Sequence, residues 1–284
     1  MDRIFTITNP VKDHLYAFTD DVSSFLTRAG VECISVKTGE DVEHMQWQLD
    51  PDRDCVIVIG GDGTVLRAAH TILGSSVPLL GINLGTLGYL AEVEKTNWRE
   101  KLTKLLSGDY TIETRMMLEG RYTRKGGKDL ENSDIYYALN EAFIARGPEP
   151  HVLHINLYVD DVILNKQVCD GAIISTPTGS TAYNLSAGGP IVEPKAQMLV
   201  ATPICSHTLN SRSIVLSAED VITLELLETH RGEQVRAVAV FDGETKGSLQ
   251  AGDRIAVKRS EKITRLVKLT KRSFLTTLHR KMSS

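Results

Sequence analysis

The run Cys55-Val-Ile-Val-Ile-Gly-Gly-Asp-Gly-Thr64 constrains the fold of this chain more than any other segment. Its apolar half, Cys55 to Ile59, leaves no polar face, so a strand formed there must be covered on both sides. Glycines then break the run, and Val65 to Leu73 resumes with helical character. A doubly covered strand that leads straight into a helix belongs in a parallel sheet with helices packed on it. The neighbouring sequence repeats the theme. Arg3 to Thr8 is a short apolar strand, and Leu15, Val22, Phe25 and Leu26 form a helical stripe that stops at Gly30. Val31 to Val36 and Val77 to Ile82 read as strands, and Trp98, Leu102, Leu105 and Leu106 mark a further helix. The alternation predicts an open parallel α/β layer.

Near residue 112 the pattern changes to strands. Ile155, Leu157 and Val159 alternate with His154, Asn156, Tyr158 and Asp160, and Val235 to Phe241 and Arg254 to Val257 look alike. We therefore expect an N-terminal α/β domain over 1–112 and a predominantly β domain over 113–262. The stretch 263–284 mixes Leu266, Val267, Phe274, Leu275 and Leu278 with Lys and Arg, and is expected to return to the first domain as a strand and short helix.

Composition excludes more than it selects. A chain of 284 residues with 42% apolar and 24% charged residues can bury a sizeable core. A formal net charge of −4 gives no electrostatic reason to expect nucleic acid or an anionic membrane as partner. Cys33, Cys55, Cys169 and Cys205 are scattered, without a C-x-x-C pair or a His at metal-ligand spacing. Neither a disulfide framework nor a structural metal site is expected, and a reducing cytoplasm fits. The N-terminus carries no apolar run of signal-peptide length, and no segment approaches a membrane span.

Two segments carry chemistry. In GGDGT, Gly60, Gly61 and Gly63 allow close backbone approach, so N–H groups at a helix start can face phosphate oxygens, with Asp62 at the carboxyl edge of the sheet. The same residues also read as a tight β-to-α turn with Asp62 as helix cap. No Gly-Lys-Ser/Thr follows, so this is not a P-loop. In DGAIISTPTGSTAYNLSAGGP, residues 170–190, the density of small and hydroxylated residues suits a backbone shaped around a polar ligand. Arg67, one turn into the helix after GGDGT, reads either as a phosphate contact or as a solvated side chain, and His151 is equally open. Asp242-Gly243-Glu244 reads as a hairpin turn.

Taken together and in this order, GGDGT at 60–64, NLGTLGYL at 83–90, Asn140-Glu141 in ALNEAFI and TPTGSTAYNLSAGGP at 176–190 resemble the NAD kinases. The first motif is shared with diacylglycerol and sphingosine lipid kinases, and the others separate the NAD kinases from them. The resemblance implies transfer of the γ-phosphoryl group of ATP to the 2′-hydroxyl of the adenosine ribose of NAD. The alternatives are a lipid kinase and an NAD-binding regulator without catalysis.

The resemblance also assigns roles. Asp62 matches the residue that takes or orients the 2′-hydroxyl proton, with Gly61 and Gly63 at the phosphates. Asn140 and Glu141 match the pair that holds the adenosine half, and Tyr89 an aromatic near the adenine. Asp170 matches the acceptor for the nicotinamide carboxamide. Thr181, Ala182, Tyr183 and Ser186 match positions along the dinucleotide, and Asn184 is placed in the same wall by its neighbourhood. Cys205 aligns with a small residue near a neighbouring subunit's nicotinamide, which implies a homodimer or homotetramer; it also reads as a buried small hydrophobe. Val168 stands where relatives often carry a basic residue, and Asp242-Gly243-Glu244 resembles a late Asp-Gly motif of the family that more often continues with Gln. Mg²⁺ is expected to arrive with ATP, using few protein ligands, and transfer is expected to be direct, without a phosphoenzyme.

Overall fold

A computed structural model describes residues 1–37, 48–85, 88–125, 134–148, 151–208, 211–228, 236–270 and 274–283. Thr86, Leu87 and Val235, which belong to segments discussed above, lie outside the described residues, as do 271–273 and Ser284. The chain divides into two compact units, Met1–Arg115 with Lys262–Ser284, and Met116–Glu261.

The first unit is the parallel α/β layer. Strands β1 (Arg3–Thr8), β2 (Glu32–Lys37), β3 (Asp54–Gly60) and β4 (Leu79–Asn83) lie in the order β2-β1-β3-β4, all parallel, with the short β5 (Val93–Glu94) beside β4. Every residue of β3 and β4 is buried, as the continuous apolar runs require. Helix α1 (Ala17–Arg28) buries Phe18, Val22 and Leu26, spaced by four residues along one face, and the chain leaves it through Gly30 at φ 86°. Leu15 departs from the expected stripe: it is 92% exposed and precedes the helix at φ 61°. The cause is Asp13, whose carboxylate accepts the N–H groups of Phe18 and Thr19 at 3.1 and 2.9 Å and so starts the helix beyond Leu15. Helices α2 (Asp62–Thr71) and α3 (Trp98–Leu106) complete the layer, with Trp98 edge-on to Phe18 and Phe25 at 5.6 and 5.5 Å.

The second unit is antiparallel. Its strands are β6 (Thr111–Thr123, begun in the first unit), β7 (Tyr136–Ala138), β8 (Glu141–Arg146), β9 (Leu153–Val159), β10 (Val162–Cys169), β11 (Gly171–Ser175), β12 (Met198–Ile204), β13 (Ile214–Ser217), β14 (Ile222–Leu226), β15 (Ala237–Phe241), β16 (Glu244–Leu249) and the first part of β17 (Arg254–Lys268). Six strands form one sheet in the order β13-β12-β11-β8-β15-β16. A second sheet runs β10-β9-β14-β17. Their inward residues, among them Ile144, Ile174 and Phe241 from one and Ile155, Leu224 and Val257 from the other, share one core. A single helical turn, α4 (Tyr183–Ser186), lies in the connection between β11 and β12.

The end of β17 belongs to the first unit, where Leu266 pairs parallel to Leu79 and Val267 and Leu269 join the core. The expected return of the tail is thus a strand, followed by helix α5 (Phe274–Met282). Among the described residues no helix is long and apolar enough to cross a membrane.

Candidate active site

In the α/β unit, β3 ends at Gly60 and α2 begins at Asp62, with Gly61 in extended conformation as its N-cap. The first N–H groups of the helix have no partner within it, which makes this end a natural anion seat. The Lys12 ammonium lies over this turn, 2.7 Å from where a Cβ on Gly61 would stand. Lys12 makes no ion pair among the described residues. Asn83, buried at the end of β4, closes the next turn by accepting the Gly85 N–H at 3.1 Å and donating to the Gly85 carbonyl at 3.0 Å.

The Asp62 side chain does not hang free over the turn. Its carboxylate accepts the backbone N–H groups of Tyr89, Leu90 and Ala91 at 2.7, 3.2 and 3.3 Å. Approach this close depends on Gly88, because a Cβ there would overlap the carboxylate. The GGDGT turn and the segment from Gly88 to Ala91 are therefore joined through Asp62. Tyr89 is half-buried, with the Lys281 ammonium 3.9 Å from its ring centroid and Phe274 of α5 at 6.3 Å. Burial first, and then the Asp62 charge, hold its hydroxyl above the usual tyrosine pKa.

In the β-rich unit a second cluster forms around the start of β8. Glu141 is 6% exposed, and its Oε2 is buried without a hydrogen-bond partner. Burial, and secondarily the charge of Asp242, push its carboxyl up to about 8, although the Tyr183 backbone N–H pulls the other way. The backbone beside it is fixed by the TPTG turn: the Thr176 N–H donates to the Asn140 carbonyl at 2.9 Å, and the Thr176 hydroxyl to the Leu139 carbonyl at 2.6 Å. Gly179 packs so tightly on Asn140 that a Cβ would strike its carbonyl. Tyr183, Ser186 and Cys205 are exposed and Thr181 and Ala182 half-buried, so these side chains stay available on the surface of the loop. Tyr183 meets Phe143 edge-on at 5.2 Å, and Asp170 is partly exposed with Arg146 at 3.5 Å.

Both units have counterparts among known proteins. Residues 14–110 match the model of the ATP-NAD kinase N-terminal domain and residues 139–269 that of the ATP-NAD kinase C-terminal domain. The NAD kinase of Lachnoclostridium phytofermentans is 37% identical over 284 residues, covering 99% of each chain. The chain belongs to the NAD kinase family. The NAD kinase of Agathobacter rectalis is 38% identical over 288 residues, covering 100% of this chain and 99% of its own. An NAD kinase from Archaeoglobus fulgidus in complex with ATP superposes with a TM-score of 0.78 at 25% identity, covering 99% of both chains. Yeast NADH kinase complexed with NADH gives 0.83 at 22% identity, covering 100% of this chain and 88% of that one.

For an NAD kinase, the remaining residues fall as follows. Asn184, counted on sequence with the ligand wall, is fully buried and faces the loop interior. Its amide donates to the Ser180 and Pro190 carbonyls at 3.1 Å each and accepts the Thr202 hydroxyl at 2.7 Å, so its side chain braces the loop with both of its donors. Arg67 is exposed on α2, His151 is half-buried ahead of β9, and Cys205 follows β12 in left-handed conformation at φ 45°. Two residues escaped the sequence, Lys12 and Arg146; Asp242 belongs to a late Asp-Gly motif to which the sequence attaches no side-chain role. Lys12 in TNPVKD precedes the first helix with no pattern of its own, and only the fold brings it to Gly61.

Proposed function

We propose that this chain transfers the γ-phosphoryl group of ATP to the 2′-hydroxyl of the adenosine ribose of NAD, yielding NADP. Glu141 carries the choice of a nucleotide over a lipid. A buried carboxyl with one oxygen unpartnered, raised to about 8 and set beside Tyr183, calls for a polar ligand that completes its hydrogen bonding. A lipid tail offers no such group; an adenine edge and a ribose diol offer several.

The phosphates of ATP are assigned to Gly61, Gly63 and the start of α2, with Lys12 above the turn. The Archaeoglobus relative solved with ATP supports a nucleotide donor. The dinucleotide is assigned to Asn140, Glu141, Asp170, Thr181, Ala182, Tyr183 and Ser186. Asp62, aimed by the amides of Tyr89, Leu90 and Ala91, retains a lone pair on Oδ2 for a hydroxyl proton. In the transfer the γ-phosphorus to bridging-oxygen bond breaks and the bond to O2′ forms. The hydroxyl proton leaves toward Asp62 and on to water. Phosphoryl transfer of this kind is governed by positioning more than by base strength, so a carboxylate fixed by backbone suits it. Among the described residues no cluster of three His, Cys, Asp or Glu side chains could hold a metal ion. A divalent cation is assigned to ATP itself, whose phosphate charge it would neutralise when bound. The same reading places the enzyme in the cytoplasm as a homodimer or homotetramer, which sedimentation of the purified protein tests.

The deciding experiment is NADP formation from NAD and Mg-ATP, comparing wild type with Asp62→Asn. We expect turnover that collapses in the variant and on chelation of divalent ions. Tight NAD binding without turnover in the wild type would make the protein a regulator; neither binding nor turnover would return it to the lipid kinases.

A further inference from the structure

The hydrogen-bond donors of the Leu139–Glu141 backbone are taken up by a residue some hundred positions away in sequence. Asp242 occupies the turn between β15 and β16, at φ 47° next to Gly243 at φ 82°. One of its carboxylate oxygens accepts the Leu139 N–H at 2.6 Å, and the other accepts those of Asn140 and Glu141 at 2.8 and 3.1 Å. Its own N–H donates to the Glu141 carbonyl at 3.0 Å. A hairpin needs none of these contacts, since Asn or Gly in the same place reverses the chain equally well.

The carbonyls of Leu139 and Asn140 are held by Thr176, through its hydroxyl and its N–H respectively. The segment is thus gripped through its three donors by the Asp242 carboxylate, through the Leu139 and Asn140 carbonyls by the TPTG turn, and through the Glu141 carbonyl by the Asp242 N–H. That matters for Glu141 in particular. Its Oε2 has no protein partner, so the backbone, the packing around it and the one bond from the Tyr183 N–H set where the carboxyl stands. Hydrogen bonds to an ionised acceptor are the stronger kind, and one carboxylate collecting three of them makes a rigid mount.

We infer that Asp242 is a positioning residue for the adenosine half of the dinucleotide, holding the Asn140-Glu141 backbone at the geometry from which those two side chains bind. This rests on the NAD kinase reading. Asp242 itself need not touch the substrate; it acts through the segment it grips.

The test is Asp242→Asn. Asn tolerates left-handed backbone, so the hairpin survives while one acceptor oxygen becomes an NH2 that faces backbone donors. We expect the dissociation constant for NAD, measured by calorimetry, and KM for NAD to rise about tenfold or more. KM for ATP should stay within about twofold, because the residues assigned to ATP lie elsewhere. Unchanged NAD affinity overturns the inference. So does a parallel loss of NAD and ATP affinity with a lowered unfolding midpoint, the mark of a merely structural residue. Should the variant fail to fold, amide exchange in the wild type decides: the N–H groups of Leu139, Asn140 and Glu141 should exchange as slowly as those within β8, and fast exchange refutes the grip. A wild type that binds no NAD defeats the functional reading instead, and the inference with it.

Discussion

Replacing Glu141 with Gln exchanges a carboxyl for a neutral amide of the same shape, and its effect on stability follows from the site. In the folded protein the carboxyl stays protonated up to about pH 8, whereas its ordinary value is 4.5. Between those values the unfolded chain loses the proton and the folded one keeps it. The unfolded state then binds fewer protons, so wild-type stability falls as pH rises through this window and is fully retained only below it. Each pH unit corresponds to about 1.4 kcal/mol, and the whole interval to about 5 kcal/mol. Gln cannot ionise in either state. Relative to wild type, Glu141→Gln should gain about 1.4 kcal/mol at pH 5.5 and about 4 kcal/mol at pH 7.5. Urea unfolding of both proteins at those two pH values, followed by circular dichroism, reads the difference directly. Parallel stabilities at both pH values would refute the reasoning, because they would mean that Glu141 titrates alike folded and unfolded. The gain in stability should be accompanied by weaker NAD binding, since the substituted group is one the ligand is expected to use.

Gly88→Ala puts a methyl group where the Asp62 carboxylate stands, so we expect turnover to fall by about tenfold or more while NAD and ATP affinities change little; steady-state kinetics with both substrates varied would check this. Asn184→Ala strips three buried hydrogen bonds from the loop and should lower the unfolding free energy by about 3 kcal/mol, measurable by urea titration; a loss of NAD affinity without destabilisation would show instead that Asn184 serves the ligand.

The α/β layer was legible in the sequence because burial writes itself locally. Cys55 to Ile59 has no polar residue, and its burial on both faces needs no knowledge of the partners. The strand alternation of Leu153–Val159 is just as direct. Leu15 misled because helical spacing does not say where a helix begins; the Asp13 carboxylate decides that. The chemistry-bearing segments could be named from their motifs, but their connections could not. Asp62 meets Tyr89 across 27 residues and Asp242 meets Leu139 across 103, and no local pattern reports such pairings. Asn184 shows the converse limit. Its neighbours in TAYNLS point outward while its own amide is spent inside the loop, a distinction that lies in side-chain direction and not in residue type.

The route of the chain sets an order of events during synthesis. Leu266, Val267 and Leu269 complete the sheet edge and core of the α/β unit, yet the ribosome makes them after the whole of Met116–Glu261. The β-rich unit is one uninterrupted stretch and can close while the chain is still being extended. The amino-terminal strands, emerging first, must wait with β4 lacking its last neighbour until the far end of the polypeptide arrives. A chain held on the ribosome with Lys262–Ser284 still inside the exit tunnel would thus carry a finished insert between the halves of an unfinished host, and protease sensitivity of such nascent chains should be confined to the host.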